Sequence, residues 1–145
     1  MGVLTEVSLF AMSRRAVFMF GPVGLMLIGA CAAVVRWTAM SFDTSLSWLI
    51  PLQVLHGLTY GASHIGAIHF ISRAVPEAAG GTAQALYATL ASGVLQGAAI
   101  LLSGSLYASY GGGTYLAMAL LAGIGLAAGL ILARSWSGGL LWDAD

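Results

Sequence analysis

Four long apolar stretches dominate this sequence, and they fit a lipid bilayer better than water. Each is close to or above the roughly 20 residues that a helix needs to cross a membrane, and together they cover residues 16–40, 46–72, 82–107 and 115–133. Only 7% of the residues are charged, whereas a soluble domain carries about a quarter. Because backbone groups in lipid must be satisfied within their own segment, such runs form helices. The sequence therefore predicts an all-α integral membrane protein with a single membrane domain over residues 1–145.

The two ends of the chain differ from these four stretches. Residues 1–12 would reach only about 18 Å as a helix, which is shorter than the hydrocarbon core. They form either an interfacial stub or the end of a helix whose beginning is missing. Residues 134–145 are expected to form a tail outside the membrane. The complete prediction is four full transmembrane helices plus a partial N-terminal helix.

Arginine residues predict the orientation of the chain. Arg14, Arg73 and Arg134 flank three different apolar stretches, and alternating crossings place all three at one membrane face. Basic residues are enriched on the cytoplasmic side of membrane proteins. We therefore expect a multi-pass protein of the plasma (inner) membrane, with a cytoplasmic C-terminal tail.

Several classes of function find no support in the sequence. No nucleophile–base pair, Cys-x-x-Cys motif, cluster of metal ligands or nucleotide fingerprint occurs, so we predict that the chain is not an enzyme and needs no cofactor or metal. The net charge is zero and no basic patch is available to bind phosphates, which argues against nucleic acid. Cys31 lies within an apolar run and is expected to pack among helices.

The third apolar stretch carries a polar stripe made of Gln53, His56, Tyr60 and His64. At about 100° per residue these four side chains fall within roughly 80° of arc, and His69 points almost opposite to them. Ionisable groups inside membranes are costly and usually face a bundle interior or a wet cavity. The stripe therefore predicts a substrate or proton pathway whose histidines can change charge near neutral pH. The alternative is that these groups only join neighbouring helices by hydrogen bonds.

Two charged residues outside the stripe are further candidates. Arg36 lies toward the end of the stretch 16–40, where it either extends to the interface or pairs with Glu6, with His56 or with a substrate carboxylate. A guanidinium group can bind a carboxylate through two parallel hydrogen bonds. Glu6 lies near mid-depth if residues 1–12 belong to a membrane helix, and it is solvated if they lie at the surface.

Several segments resemble transporters of the major facilitator superfamily. Residues 55–64, with the sequence Leu-His-Gly-Leu-Thr-Tyr-Gly-Ala-Ser-His, resemble the tenth helix of the branch that contains phenylpropionate permeases and nucleoside symporters and is related to lactose permease. Residues 2–10 resemble the end of helix eight, and Val-Arg-Trp at 35–37 resembles the end of helix nine. Residues 73–77, followed by 83–87, resemble the loop into helix eleven.

The resemblance implies that the chain is the C-terminal part of a twelve-helix transporter, from part of helix eight through helix twelve. Its partners would be the lipid bilayer, the missing N-terminal helices, protons and a small organic solute such as an aromatic acid or a nucleoside-like compound. Glu6, Arg36 and His56 match the acid, arginine and histidine that couple protons in the lactose-permease relatives. Thr59 stands where those relatives place a second carboxylate. The alternative is a non-transporting membrane scaffold or a truncated fragment without independent activity.

Overall fold

The computed structural model describes residues 13–142, and these residues are almost entirely helical. Six α-helices are joined by short linkers or by non-α turns. They are α1 (Ser13–Phe42), α2 (Leu46–Gly57), α3 (Ser63–Ala74), α4 (Glu77–Tyr87), α5 (Gln96–Tyr110) and α6 (Thr114–Ser135). Two π-helical segments, Leu58–Ala62 and Ala88–Leu95, continue α2 into α3 and α4 into α5. A 3₁₀ turn at Gly111–Gly113 separates α5 from α6.

The four predicted membrane segments all fall within helical residues. By length and composition alone, two continuous helical stretches could cross a membrane, Ser13–Phe42 and Glu77–Ser135. Residues 46–74 are not among them, because the glutamine, histidines and tyrosine of the polar stripe lower the mean hydropathy of that stretch. The count of four full helices and one partial helix therefore stays a prediction. Residues 1–12, the predicted partial helix, lie outside the described residues.

Helix α1 is the centre of the packing and contacts both α3 and α6. The prediction that Cys31 packs among helices is wrong for the described residues, because Cys31 lies on a face of α1 that is exposed. It bends at Gly21, whose φ of 68° lies in the left-handed region that favours glycine, and Pro22 follows directly. Beyond this kink, α1 and α3 approach closely through two glycines. A Cβ atom on Gly66 would lie 2.6 Å from the Pro22 carbonyl oxygen, and one on Gly29 would overlap the Ser63 hydroxyl.

Helices α4 and α5 and the π-helical segment between them form the least enclosed part of the fold. None of the residues from Glu77 to Tyr110 is buried, and large apolar side chains such as Leu95 and Leu101 are mostly exposed. An apolar surface of this extent requires lipid or further helices to cover it. Tyr87 is the half-buried residue through which this region contacts the imidazole of His64 on α3.

The bundle has two ends, which we name by one residue each. At the Asp43 end, residues 43–45 link α1 to α2, and Asp43 accepts hydrogen bonds of 2.8 Å from both the backbone N–H and the hydroxyl of Ser45. These bonds hold the pKa of Asp43 below its ordinary value. At the Arg73 end, the start of α1 lies near the end of α3.

The C-terminal tail folds against the Arg73 end of α3. The backbone N–H of Leu141 donates to the Ala74 carbonyl at 2.8 Å, and the ring of Trp136 packs edge-on to Phe70 at 4.8 Å. Helix α6 itself ends at Ser135, so the first two residues of the predicted tail are helical.

Candidate functional site

A cavity of about 280 Å³ brings together most of the predicted site residues. It lies between α1, the junction of α2 with α3, and the segment from Tyr87 to Gln96. Four of the six predicted residues line it, and these are Arg36, His56, Tyr60 and His64. Gln53 is exposed and is not among the lining residues. Glu6 lies outside the described residues.

Arg36 supplies the positive charge of this cavity. The residue is buried, and its Nε atom has no hydrogen-bond partner among residues 13–142. The guanidinium carbon lies 4.0 Å from the centre of the Trp37 ring, which is close enough for a cation–π interaction. Trp37 in turn stacks on Tyr115 of α6 with ring centres 5.9 Å apart. The arginine is thus held beside a rigid aromatic pair, with hydrogen-bonding capacity still available.

Three aromatic side chains form another wall of the cavity. Tyr60 and His64 stack with ring centres 5.7 Å apart and only 6° between their planes. The Nδ1 atom of His64 lies 3.4 Å from the Tyr87 hydroxyl, at the long limit of a hydrogen bond. The contact joins α3 to α4. Because the Tyr87 hydroxyl can either donate or accept a hydrogen bond, the contact is compatible with either tautomer of the His64 imidazole.

The π-helical turn at Leu58–Ala62 explains why His56, Tyr60 and His64 share one wall. In an uninterrupted α-helix, eight residues would carry His64 about 80° around the axis from His56. Each residue of a π-helix, whose bonds run from i to i+5, turns by less than 100°. The turn therefore brings His64 back toward the direction of His56. Gln53 precedes the turn and remains outside the cavity.

Sequence reasoning missed several lining residues. Tyr87, Ser63 and Ser92 line the cavity but were not predicted as site residues. A helical period places Ser63 beside the polar stripe, because it comes seven residues after His56 and so points within about 20° of it. The same period could not have identified Tyr87 and Ser92, because they lie on α4 and on the π-helical segment that follows it, whose rotation relative to α3 is a property of the packing. Thr59, at the position where the lactose-permease relatives are expected to have a carboxylate, also lines the cavity and donates its hydroxyl to the Leu55 carbonyl at 2.8 Å.

The side chains that line this cavity can recognise a ligand in three ways. A buried guanidinium can bind an anion, the aromatic rings can stack on a planar group, and the hydroxyls can orient polar atoms. Among residues 13–142, no three or more His, Cys, Asp or Glu side chains are placed to hold a metal ion. The arrangement fits a small organic ligand that carries a negative charge.

Comparison with known proteins finds a transporter family. The model of the MFS_1 like family matches residues 1–118. A relative from Escherichia coli (strain K12), named as a probable 3-phenylpropionic acid transporter, is 35% identical over 84% of this chain and 32% of its own length. The maltose permease of Geobacillus stearothermophilus is 30% identical over 92% of this chain and 37% of its own length. The chain thus spans about a third of the length of these relatives. No solved structure matches it.

Proposed function

The chain belongs to the MFS_1 like family, and from this premise we propose that it forms part of a proton-coupled secondary transporter for a small aromatic carboxylate. The protein lies in the plasma (inner) membrane, with the Arg73 end and the C-terminal tail in the cytoplasm. The described residues supply one wall of the substrate pathway. The rest of that pathway corresponds to the part of the relatives that this chain does not span.

The observation that carries the proposal is the buried guanidinium of Arg36 in a cavity with aromatic walls. Burying a cation is unfavourable unless other groups compensate for the lost water. The cation–π interaction with the Trp37 ring compensates for part of the lost hydration, and the Nε–H group of Arg36 can still donate a hydrogen bond. A carboxylate satisfies both needs through charge and bidentate hydrogen bonding. The stacked Tyr60 and His64 rings then favour a planar, apolar group on the same ligand.

The coupling of transport to protons is proposed from the histidines that line the same cavity. His56 and His64 are half-buried, and imidazole is the side chain whose charge changes most readily near neutral pH. A protonated histidine favours entry of an anion, so a carboxylate and a proton would bind together. Thr59 offers no second carboxylate to accept the proton. His56 therefore holds that role among the described residues, and Glu6 is the other candidate.

Binding is the step that tests this proposal directly, because transport needs both walls of a pathway. The chain would be placed in lipid nanodiscs and titrated with 3-phenylpropionate and with 3-phenylpropanol, which has the ring but no charge. We expect the acid to bind and the alcohol to bind much more weakly. Maltose and uridine test the sugar and nucleoside alternatives. Equal affinity for the acid and the alcohol would contradict a carboxylate site at Arg36.

Substitution of the arginine gives a second, residue-specific test. Arg36→Gln removes the charge but keeps a hydrogen-bonding side chain of similar length. A hydrogen bond to a charged group contributes about 1.5–3 kcal/mol, so we expect affinity for 3-phenylpropionate to fall roughly 10- to 100-fold. Arg134→Gln is the matched control, since Arg134 is exposed at the end of α6. An equal loss of affinity in both variants would mean that the effect is not local.

A separate measurement tests whether ligand binding is coupled to the uptake of a proton. Binding of 3-phenylpropionate in a weakly buffered solution would be followed with a pH indicator, and we expect proton uptake on binding. His56→Gln should abolish most of that uptake. Undiminished uptake in this variant would remove His56 from the coupling step and leave Glu6 as the candidate to test.

A further inference from the structure

His64 lines a second cavity in addition to the one that holds Arg36. This cavity, of about 200 Å³, is lined by Ser13, His64, Ile65, Ile68 and His69. It lies between the start of α1 and the last turns of α3, nearer to the Arg73 end. His64 therefore lies between the candidate substrate cavity and a smaller cavity that holds another histidine.

His69 lines this smaller cavity, a position that the helical period alone did not indicate. On an uninterrupted α-helix His69 points almost opposite to the polar stripe, and it does not line the larger cavity. Five residues separate it from His64, which is about 140° of rotation on an α-helix. The two side chains can therefore flank one space beside α1 without sharing a stripe. The smaller cavity is that space, and both histidines are half-buried in its wall.

We infer that His64 and His69 form a proton route from the substrate cavity toward the Arg73 end of the bundle, an inference that rests on the proposed function. The proton that His56 gives up in the substrate cavity binds to a ring nitrogen of His64, which lines the same cavity. A proton then leaves protonated His64 and is taken up by water in the smaller cavity, which has room for several molecules. That water passes a proton to a neutral ring nitrogen of His69. The net result is the transfer of one proton and one positive charge, with no other group altered.

Charged and titratable groups lie on both sides of the proposed proton route. On the substrate side, the groups near His64 are Tyr60 and Tyr87, with Arg36 in the same cavity. On the other side, Arg14 and Arg15 follow Ser13 directly, and Arg73 lies one turn beyond His69. From His69 the proton continues to water at the Arg73 end. Tyr87 positions the His64 ring through its hydroxyl.

The first test is a titration of the histidines that needs no substrate. The full chain, labelled with ¹⁵N-histidine, would be studied by NMR in nanodiscs, and each resonance assigned from a single His→Gln variant. We expect His69→Gln to displace the titration curve of His64, and His64→Gln to displace that of His69. Tyr87→Phe should also displace the His64 curve, whereas Tyr110→Phe, a matched change at an exposed tyrosine, should not.

The second test measures the rate of proton movement. Proton uptake on binding of 3-phenylpropionate would be followed by stopped flow. Protons can enter the substrate cavity along the same route in reverse, so we expect uptake to be slower in His69→Gln than in the wild type. His69→Asn serves as the second replacement, so that a folding defect of one variant does not decide the result. Unlinked titration curves together with an unchanged rate of uptake would overturn the route. Absence of any carboxylate binding, with linked curves, would refute the proposed function and leave the histidine pair intact.

Discussion

The close approach between α1 and α3 at Gly66 offers a direct test of how these two helices pack. In Gly66→Ala, the new Cβ atom would lie 2.6 Å from the Pro22 carbonyl oxygen and 2.7 Å from Cγ of Met26. Ordinary contact begins near 3.4 Å, so α1 would have to move away by about 0.8 Å. The neighbouring atom at Pro22 is backbone at a kink, which cannot rotate aside as a side chain can. Over-packing of this kind costs about 1–3 kcal/mol.

The control for this prediction is another helical glycine with open space around it. Gly97→Ala places a Cβ atom with nothing within 4 Å, so the higher helix propensity of alanine should leave stability unchanged or raise it by up to about 1 kcal/mol. Thermal unfolding of both variants would be followed by circular dichroism in one detergent. We expect a lower midpoint for Gly66→Ala alone. Equal midpoints would show that α1 and α3 are not packed through Gly66.

Three further predictions concern other parts of the molecule. Thr59→Glu adds a carboxylate to the cavity wall and should increase the number of protons taken up per 3-phenylpropionate bound, as read with a pH indicator. Because the Ser45 hydrogen bonds lower the pKa of Asp43 from 3.8, their stabilisation is present above that value and is lost as the pH falls through the lowered pKa of the folded state. The thermal midpoint of the wild type should therefore fall below about pH 4, and that of Asp43→Asn should depend less on pH. Trp136→Ala removes the ring contact with Phe70 and should speed proteolysis of the C-terminal tail, which gel analysis would detect.

The sequence identified the helical segments because apolar length is a local property that needs no partner. It predicted Arg36, His56, Tyr60 and His64 as site residues because a polar group within an apolar helix is conspicuous wherever it points, and the structure places these four around one cavity. It did not indicate the π-helical turn at Leu58–Ala62, because a change of the backbone hydrogen bonds from i+4 to i+5 leaves no mark in the pattern of apolar residues.

The sequence also could not predict which glycines lie at the contacts between helices. Gly93 and Gly97 are four residues apart, a spacing typical of close helix packing, yet nothing lies within 4 Å of where their Cβ atoms would be. Gly29 and Gly66 lie at the close approach of α1 and α3, and Gly129 lies against Leu27 of α1. A spacing of four residues shows that two glycines share a helix face. It does not show which face meets a neighbour, because that is decided by the relative rotation of two helices.

The position of Tyr87 links the site to the surroundings of the protein. Its hydroxyl completes the wall at His64, yet it belongs to a helical segment, Glu77 to Tyr110, that has no buried residue. The segment is therefore held in place by the groups that cover its apolar face. These are either lipid or the helices that the longer relatives possess. The guanidinium of Arg36 has no such dependence, because α1 is fixed by α3 and α6. The proposed anion-binding part of the site should thus survive in detergent. The His64–Tyr87 contact, and the proposed proton route that depends on the ring it positions, should require a bilayer or the remaining helices.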